Sequence, residues 1–368
     1  MFFLHKTMTI TAQAPARVDL AGGTLDIWPL YLFHENSQTV NFAIDCYARC
    51  RITARPGKGD DKRIVVRSLD LKRSEEFASL DALQRVAVAG KLKLKLPALL
   101  IREFQPAFGK AGGFTLEMES GVPAGSGLGG SSALNIAICG ALARMKTRFH
   151  SIELSAGKLI EIARNVESQV LGVPAGEQDY YSAMHGGVQA IHLTPHGIEP
   201  EKLPIEADEM NARFVLCYTG QSRQSGINNW EVQKAHIDGK RHVVRHFAGI
   251  ARIAAELRDA LGGNGEHDWR GAARLVNADW VARKKAWPGI TTPQIDQLIA
   301  IAKHSGALAG KACGAGGGGC VAFLVEPQDK ARVAAALTGA LTGAPTAAGA
   351  QVLATGMASR GLQVRSGA

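Results

Sequence analysis

Residues Gly121–Ala133 read GVPAGSGLGGSSA, with five glycines in thirteen positions. Glycine lets backbone N–H groups converge on an anion, and a following helix adds the partial positive charge of its N-terminus. The chemistry this suits is phosphate binding. Ser131 and Ser132 stand where they could cap that helix. A serine hydroxyl there could also ligate Mg²⁺ bridging the phosphates. A tight glycine turn without a ligand is the plain alternative, but glycine at this density costs conformational entropy unless it is used.

Two rival phosphate loops fit less well. A Walker A loop needs a lysine before its Ser/Thr, and Gly130 occupies that place. The segment Gly306–Lys311, GALAGK, is one residue too short and is followed by Ala312. Gly125, Gly127 and Gly130 satisfy GxGxxG, a weak match when alone. A dinucleotide fold wants a fully buried strand before the loop and an acid about twenty residues on. Phe114–Glu119 alternates instead, and Arg144, Lys146 and Arg148 stand where the acid belongs. Only an NADP-dependent oxidoreductase survives, as a minor alternative.

Phosphoryl transfer asks for positioning and charge neutralisation: a cradle, a metal ligand, a carboxylate near the attacking hydroxyl, and a cation. Glu167 is the metal-ligand candidate. It shares one helix face with Ile160, Ala163 and Leu171, and an acid on an apolar stripe is expensive unless paired. A helix-end carboxylate that reaches solvent is the other reading. Asp179, within GVPAGEQDYYSAMHGG, is the candidate carboxylate, although it could be a simple helix N-cap. Glu177 is a neighbouring acid that stays open. Arg17 is the candidate cation: in an extended segment it points to the same side as Asp19, away from Val18 and Leu20. A surface salt bridge is its bland reading.

These groups need elements to hold them. Thr9–Ala14 reads as a strand entering a loop at Pro15. Val40–Ala54 and Arg63–Ser68 read as strands separated by the turn-like Pro56–Asp60. Leu80–Phe108 looks largely helical. Phe114–Glu119 places Phe114, Leu116 and Met118 on one face, the mark of a half-buried strand. Helices are expected over Ser131–Arg144 and Ser151–Leu171. Gly186-Gly187 and Pro195–Pro200 punctuate the chain and place a domain boundary near 190. Beyond it come the strand Arg213–Tyr218, helices from about Asn229 to His304, and the glycine run Gly314–Gly319 leading into the strand Cys320–Val325. The Ala/Gly/Thr-rich C-terminal stretch carries little signal.

The chain has 368 residues, 46% hydrophobic and 20% charged, which suits a soluble globular protein of one large or two ordinary domains. Its formal charge of +9 is scattered, with short runs such as Lys91–Lys95. A solvated basic surface explains this better than nucleic-acid binding, and anionic small substrates fit equally well. Six cysteines form no CxxC pair, no signal peptide is evident, and no apolar run is long enough to span a membrane. A cytoplasmic protein with reduced thiols is expected. The 11 histidines show no metal spacing. Trp28, Tyr31 and Trp230 could stack on a sugar or base, or simply pack.

Three ordered motifs carry a family resemblance. Pro123–Ala133, PAGSGLGGSSA, resembles the second motif of the GHMP kinases (galactokinase, homoserine, mevalonate and phosphomevalonate kinases), the P-x-x-x-G-L-x-S-S-A pattern. Pro15–Asp26, PARVDLAGGTLD, resembles the first, and Lys311–Cys320, KACGAGGGGC, the third. The resemblance implies an α+β, two-domain fold: residues 1–190 related to ribosomal protein S5 domain 2, and residues 191–368 a ferredoxin-like α+β domain. The active site would lie between them.

The resemblance also implies ATP and Mg²⁺. Pro123, Gly125, Ser126, Gly127, Leu128, Gly129, Gly130, Ser131 and Ser132 would hold the nucleotide, and Ser132 with Glu167 the metal. Asp179 would orient and deprotonate the acceptor hydroxyl, with Arg17 stabilising developing charge. Asp26, Gly22, Gly23, Gly316 and Gly317 would meet the acceptor, a sugar or sugar phosphate. Neither nucleic acid nor membrane is an expected partner, and the chain is compatible with a homodimer.

Galactokinases carry Gly-Glu-His-Thr-Asp at the end of the first motif, whereas this chain has Gly22-Gly-Thr-Leu-Asp26. The Leu-Ala-Gly-Gly start is closer to L-fucokinases and D-glycero-D-manno-heptose 7-phosphate kinases. So are Ser305–Val325 and Gly289–Asp296. Thr24–Leu30, TLDIWPL, departs from the Gly-Thr-Asp run and prolines of those kinases. Phosphorylation of the anomeric hydroxyl is the regiochemistry that this branch implies.

Overall fold

The computed structural model describes residues 8–54, 61–104, 113–150, 153–222, 225–263, 265–342 and 349–367. Among the described residues, twelve strands form two sheets. The first sheet contains β1 (Met8–Ala21), β2 (Gln38–Ala54), β3 (Ile64–Ser68), β4 (Arg73–Phe77), β5 (Phe114–Glu119), β6 (Val188–Thr194) and β7 (Gly197–Leu203). The second contains β8 (Phe214–Tyr218), β9 (Ala307–Ala312), β10 (Cys320–Val325) and β11 (Gln351–Val352). The last strand, β12 (Gln363–Gly367), returns to the first sheet.

The long strand β2 divides its pairing. Its start, Gln38–Phe42, pairs with β6, and its end, Arg49–Ala54, pairs with β5. The main order is β12-β1-β2-β5-β3-β4, antiparallel except for β3 beside β5. The second sheet is antiparallel, ordered β11-β8-β10-β9. Position 190 lies inside β6, so the first sheet runs on to Leu203 and takes back Gln363–Gly367.

Several local expectations shift. β1 does not stop at Pro15 but continues to Ala21. A register shift at Pro15/Ala16 accommodates the proline, which has no N–H to donate, and a second shift follows at Asp19/Ala21. Arg17 and Asp19 therefore ride a sheet strand, opposite Ala43 and Asn41. The 80–108 stretch is two helices, Leu80–Val88 and Lys95–Phe104, with residues 105–108 outside the described residues. Residues 151 and 152 and the turn at 56–60 lie outside them too. The next helix starts at Ala156, where the Ser155 hydroxyl accepts the Lys158 N–H at 3.2 Å, and ends on left-handed Gly172.

One core fills the space between the first sheet and the helices Lys95–Phe104, Gly130–His150, Ala156–Leu171 and Gln178–His185. A second joins the two halves. Ala16, Val18, Leu20 and Phe42 of β1 and β2 pack with Phe214, Leu216, Leu257 and Val276. The Phe42 and Phe214 rings meet edge to face with centroids 5.0 Å apart. Such a pair adds about 0.5–1.5 kcal/mol to its burial. One side of the β1–β2 ribbon is thus committed to the interface, which leaves Arg17 and Asp19 on the other. Among the described residues no helix is long and apolar enough to cross a membrane, and no disulfide forms.

Candidate active site

The loop between β5 and the helix Gly130–His150 is held by backbone from two sides. The Arg17 N–H donates to Leu128 O at 2.9 Å and the Arg17 guanidinium to Gly127 O at 2.5 Å. From the other side, the Cys320 N–H donates to Ser126 O at 2.7 Å. Gly127 and Gly129 have φ of +78° and +68°, where L side chains are disfavoured. A Cβ at Gly127 would lie 2.5 Å from Cys313 O, and one at Gly129 would lie 3.0 Å from the Asp179 carboxylate. The cradle is therefore pinched between the third glycine motif and the candidate base. Gly129→Ala is expected to cost about 1–2 kcal/mol in backbone strain and to push Asp179 aside. Steady-state kinetics should then show a larger fall in kcat than in nucleotide affinity.

The two serines do not serve as helix caps. The Ser131 hydroxyl donates to Glu167 Oε1 at 2.5 Å and the Ser132 hydroxyl to Oε2 at 3.0 Å. Tyr180, from the helix Gln178–His185, donates its hydroxyl to the same Oε2 at 2.6 Å. Burial and the Glu167 carboxylate hold the Tyr180 phenol well above its ordinary pKa, so it stays a donor. Glu167 is buried, as its place on the apolar face of its helix required. Sequence reasoning missed Tyr180; the available signal was a tyrosine next to Asp179, since a buried phenol needs a partner. A carboxylate and a hydroxyl beside a phosphate cradle fit Mg²⁺, which favours hard oxygens and keeps sites open for water and phosphate. Among the described residues no group of three or more His, Cys, Asp or Glu forms an all-protein metal cage.

Asp179 sits in the first turn of its helix, whose N-cap residue is Glu177, so it is not the cap. Its Oδ1 accepts from Arg17 Nε at 2.7 Å and lies 2.6 Å from a terminal guanidinium nitrogen. Arg17 is buried, while the Asp179 side chain stays 24% exposed. The pair therefore has a solvent-facing carboxylate backed by a buried cation. Glu177 faces elsewhere: Arg164 holds its Oε1 at 2.5 Å, and burial raises its pKa.

Asp26 lies at the start of the helix that carries Asp179. It is buried and accepts the Gln178 N–H at 3.0 Å. Its neighbour Ile27 bridges to Gly176. Burial pushes the Asp26 pKa up to about 7, with the Asp179 and Asp19 charges adding and the Gln178 N–H opposing.

The Gly22 N–H donates to Asp279 Oδ1 at 3.1 Å, and Gly23 leaves no room for a Cβ beside the Asp19 carboxylate. The Gly317 N–H donates to Ile290 O at 2.6 Å. Ala315, between the third-motif glycines, shares a small cavity with Gly23 and Thr24, so the first and third motifs converge. Tyr31 is buried in a core cluster with Leu25 and Leu30, while Trp28 and Trp230 are exposed. Past β8, the Gln221 carbonyl accepts the Gly319 N–H at 2.8 Å.

Beneath the motifs is a buried ion network. Lys311 Nζ reaches Asp279 Oδ2 at 2.7 Å, Leu20 O at 3.1 Å and Asp19 Oδ2 at 3.2 Å. Arg283 donates to the same Asp19 oxygen at 3.1 Å. Burial alone would raise the Asp19 pKa, but Lys311, Arg283 and Arg17 outweigh it and hold the carboxyl below its ordinary range. Sequence reasoning missed Arg283 and Asp279, and placed Lys311 in a rejected P-loop and at the start of the third motif without giving it a partner. Its signal was a lysine amid the small residues of a strand.

The comparisons with known proteins agree with this arrangement. The model of the GHMP kinases N terminal domain matches residues 95–187, and that of the GHMP kinases C terminal matches residues 254–342. The chain is 28% identical over 335 residues to the D-glycero-alpha-D-manno-heptose 7-phosphate kinase of Campylobacter jejuni, covering 89% of this chain and 93% of that one. It is 26% identical over 360 residues to the L-fucokinase/L-fucose-1-P guanylyltransferase of Bacteroides fragilis, covering 91% of this chain but 36% of that longer protein. The crystal structure of Lactococcus lactis galactokinase complexed with galactose superposes with a TM-score of 0.73 at 19% identity, over 96% of this chain and 95% of that one. With both family domains present in order on the two-sheet α+β fold, the chain belongs to the GHMP kinases and is a phosphotransferase acting on a hydroxyl group.

Proposed function

We propose that this GHMP kinase transfers the γ-phosphoryl group of ATP, with Mg²⁺, to a hydroxyl of a sugar or sugar phosphate, the anomeric hydroxyl being the expected acceptor. The observation that carries the reading is the Arg17–Asp179 pair set against Gly129 of the phosphate loop. Residues Pro123–Ser132 would cradle the nucleotide phosphates. Ser132 and Glu167 would hold Mg²⁺, which neutralises phosphate charge when bound. Asp179 accepts the proton of the attacking hydroxyl as its oxygen bonds to the γ-phosphorus. The bond from that phosphorus to the bridging oxygen breaks, and ADP leaves. Arg17 holds and orients the Asp179 carboxylate and offsets charge on the transferring group. Asp26 would accept hydrogen bonds from acceptor hydroxyls, beside Gly22, Gly23, Gly316 and Gly317. A cytoplasmic location and a homodimeric assembly belong to the same reading.

The name of the Campylobacter relative makes heptose 7-phosphate the first acceptor to try, followed by fucose, galactose and their phosphates. ADP release measured across such a panel, with mevalonate and homoserine as comparators, decides the acceptor class. Turnover of sugars supports the proposal, and turnover confined to mevalonate or homoserine refutes it.

Asp26 adds a pH prediction. Its ionised form accepts on both oxygens and more strongly than the neutral acid, so the acceptor KM should fall as pH rises through about 7. Asp26→Asn should flatten that profile. The sign for stability is opposite. The folded pKa lies above that of the unfolded chain, so this carboxyl favours folding at acid pH and loses that contribution as pH rises through about 7.

A further inference from the structure

Thr24 stands between the first-motif glycines and Asp26 with φ of +77°. A β-branched residue there is a genuine outlier, and such strain persists only where the surroundings enforce it. The enforcing groups come from the other half of the chain. Arg283, on the helix Trp269–Ala286, is buried at 3% exposure. One of its terminal nitrogens donates to Asp19 Oδ2 at 3.1 Å. The other donates to Gly314 O at 2.7 Å and lies 3.4 Å from the Thr24 hydroxyl. A single planar guanidinium thus touches the strand that carries Arg17, the loop that carries Asp26, and the first residue of the third glycine loop. Lysine has neither the fork nor the reach to make these bonds together. Lys311 completes a separate task, joining Asp19 to Asp279, which holds Gly22.

We propose that Arg283 is a positioning residue that locks the loop Gly22–Asp26 onto the third glycine loop in the geometry that receives the acceptor. It acts through Thr24, Asp19 and Gly314. This rests on the reading of Asp26 as an acceptor ligand.

The test uses the full chain as Arg283→Met and Arg283→Lys. Three quantities are read: amide hydrogen exchange in peptides covering residues 19–28, ADP affinity by calorimetry, and the KM of whichever sugar the wild type turns over. A lost hydrogen bond from a charged donor reads as about 10-fold or more, so exchange in residues 19–28 and the acceptor KM should each rise by about that factor. ADP affinity should stay within about twofold, since the phosphate loop is held by other bonds. Arg283→Lys keeps the charge and one bond, so it folds even if Arg283→Met does not, and it should show the same split. Unchanged loop exchange, or equal losses in acceptor and ADP binding, would overturn the proposal. If the wild type turns over no sugar, the sugar-kinase reading fails, and the exchange of residues 19–28 still decides the role of Arg283.

Discussion

Asp179→Asn is expected to lower kcat by about 10²–10⁴-fold, the range a general base contributes, while the KM for ATP stays near its wild-type value. Asparagine keeps the shape of the side chain beside Gly129 and can still accept a hydrogen bond from Arg17, so the loop geometry survives. It cannot take a proton. The control is Glu177→Gln. That carboxylate is turned toward Arg164, so its loss should weaken the fold locally and leave the chemical step in place. Full activity in Asp179→Asn would remove Asp179 from its role, and loss of activity confined to Glu177→Gln would move the base there.

Lys311→Met should destabilise the protein by about 3–5 kcal/mol, the usual consequence of removing one member of a buried ion pair. Lys311, Asp19 and Asp279 are all fully buried. Without the ammonium group, Asp279 loses the cation 2.7 Å away and Asp19 is left with Arg283. The methionine side chain fills similar space, so little of the loss is cavity. Combining Lys311→Met with Asp279→Asn restores charge balance around Asp19 and Arg283 and should recover part of the loss, a coupling expected of groups in one network. Urea denaturation of the two variants measures both effects. A single-variant loss below about 1 kcal/mol would mean that solvent reaches the network. The pH dependence carries the opposite sign to that of Asp26. The depressed Asp19 pKa contributes stability above the ordinary carboxylate range, and that contribution is lost as pH falls through the folded value.

What the sequence made legible is what local rules govern. The alternation of Phe114–Glu119 encodes a strand with one buried face, and the strand has those limits. The glycine loop and the strand Cys320–Val325 follow from residue type alone. Glu167 was legible because an acid on an apolar helix face needs partners, and it has three hydroxyl donors. What failed depends on distant chain. Pro15 looked like a strand end because the bulge that accommodates it is set by the register with β2. Ser131 and Ser132 looked like caps because Glu167, more than thirty residues on, is invisible to a local rule. Arg283 and Asp279 belong to a helix whose sequence does not say which strand it will meet. The strand Gln363–Gly367 is short, polar and at a sheet edge, so it carries no hydrophobic pattern; its place is fixed by backbone pairing with β1.

The central claim is that one carboxylate, Asp179, faces the acceptor hydroxyl while the loop ahead of it holds the nucleotide. The most direct measurement is a crystal structure with a non-hydrolysable ATP analogue, Mg²⁺ and the sugar that the panel identifies. The account predicts the phosphates on Gly125–Ser132 and an acceptor hydroxyl within about 2.6–3.2 Å of Asp179, the reach of a general base. An acceptor bound away from Asp179, or a nucleotide seated elsewhere than on the glycine loop, would contradict it.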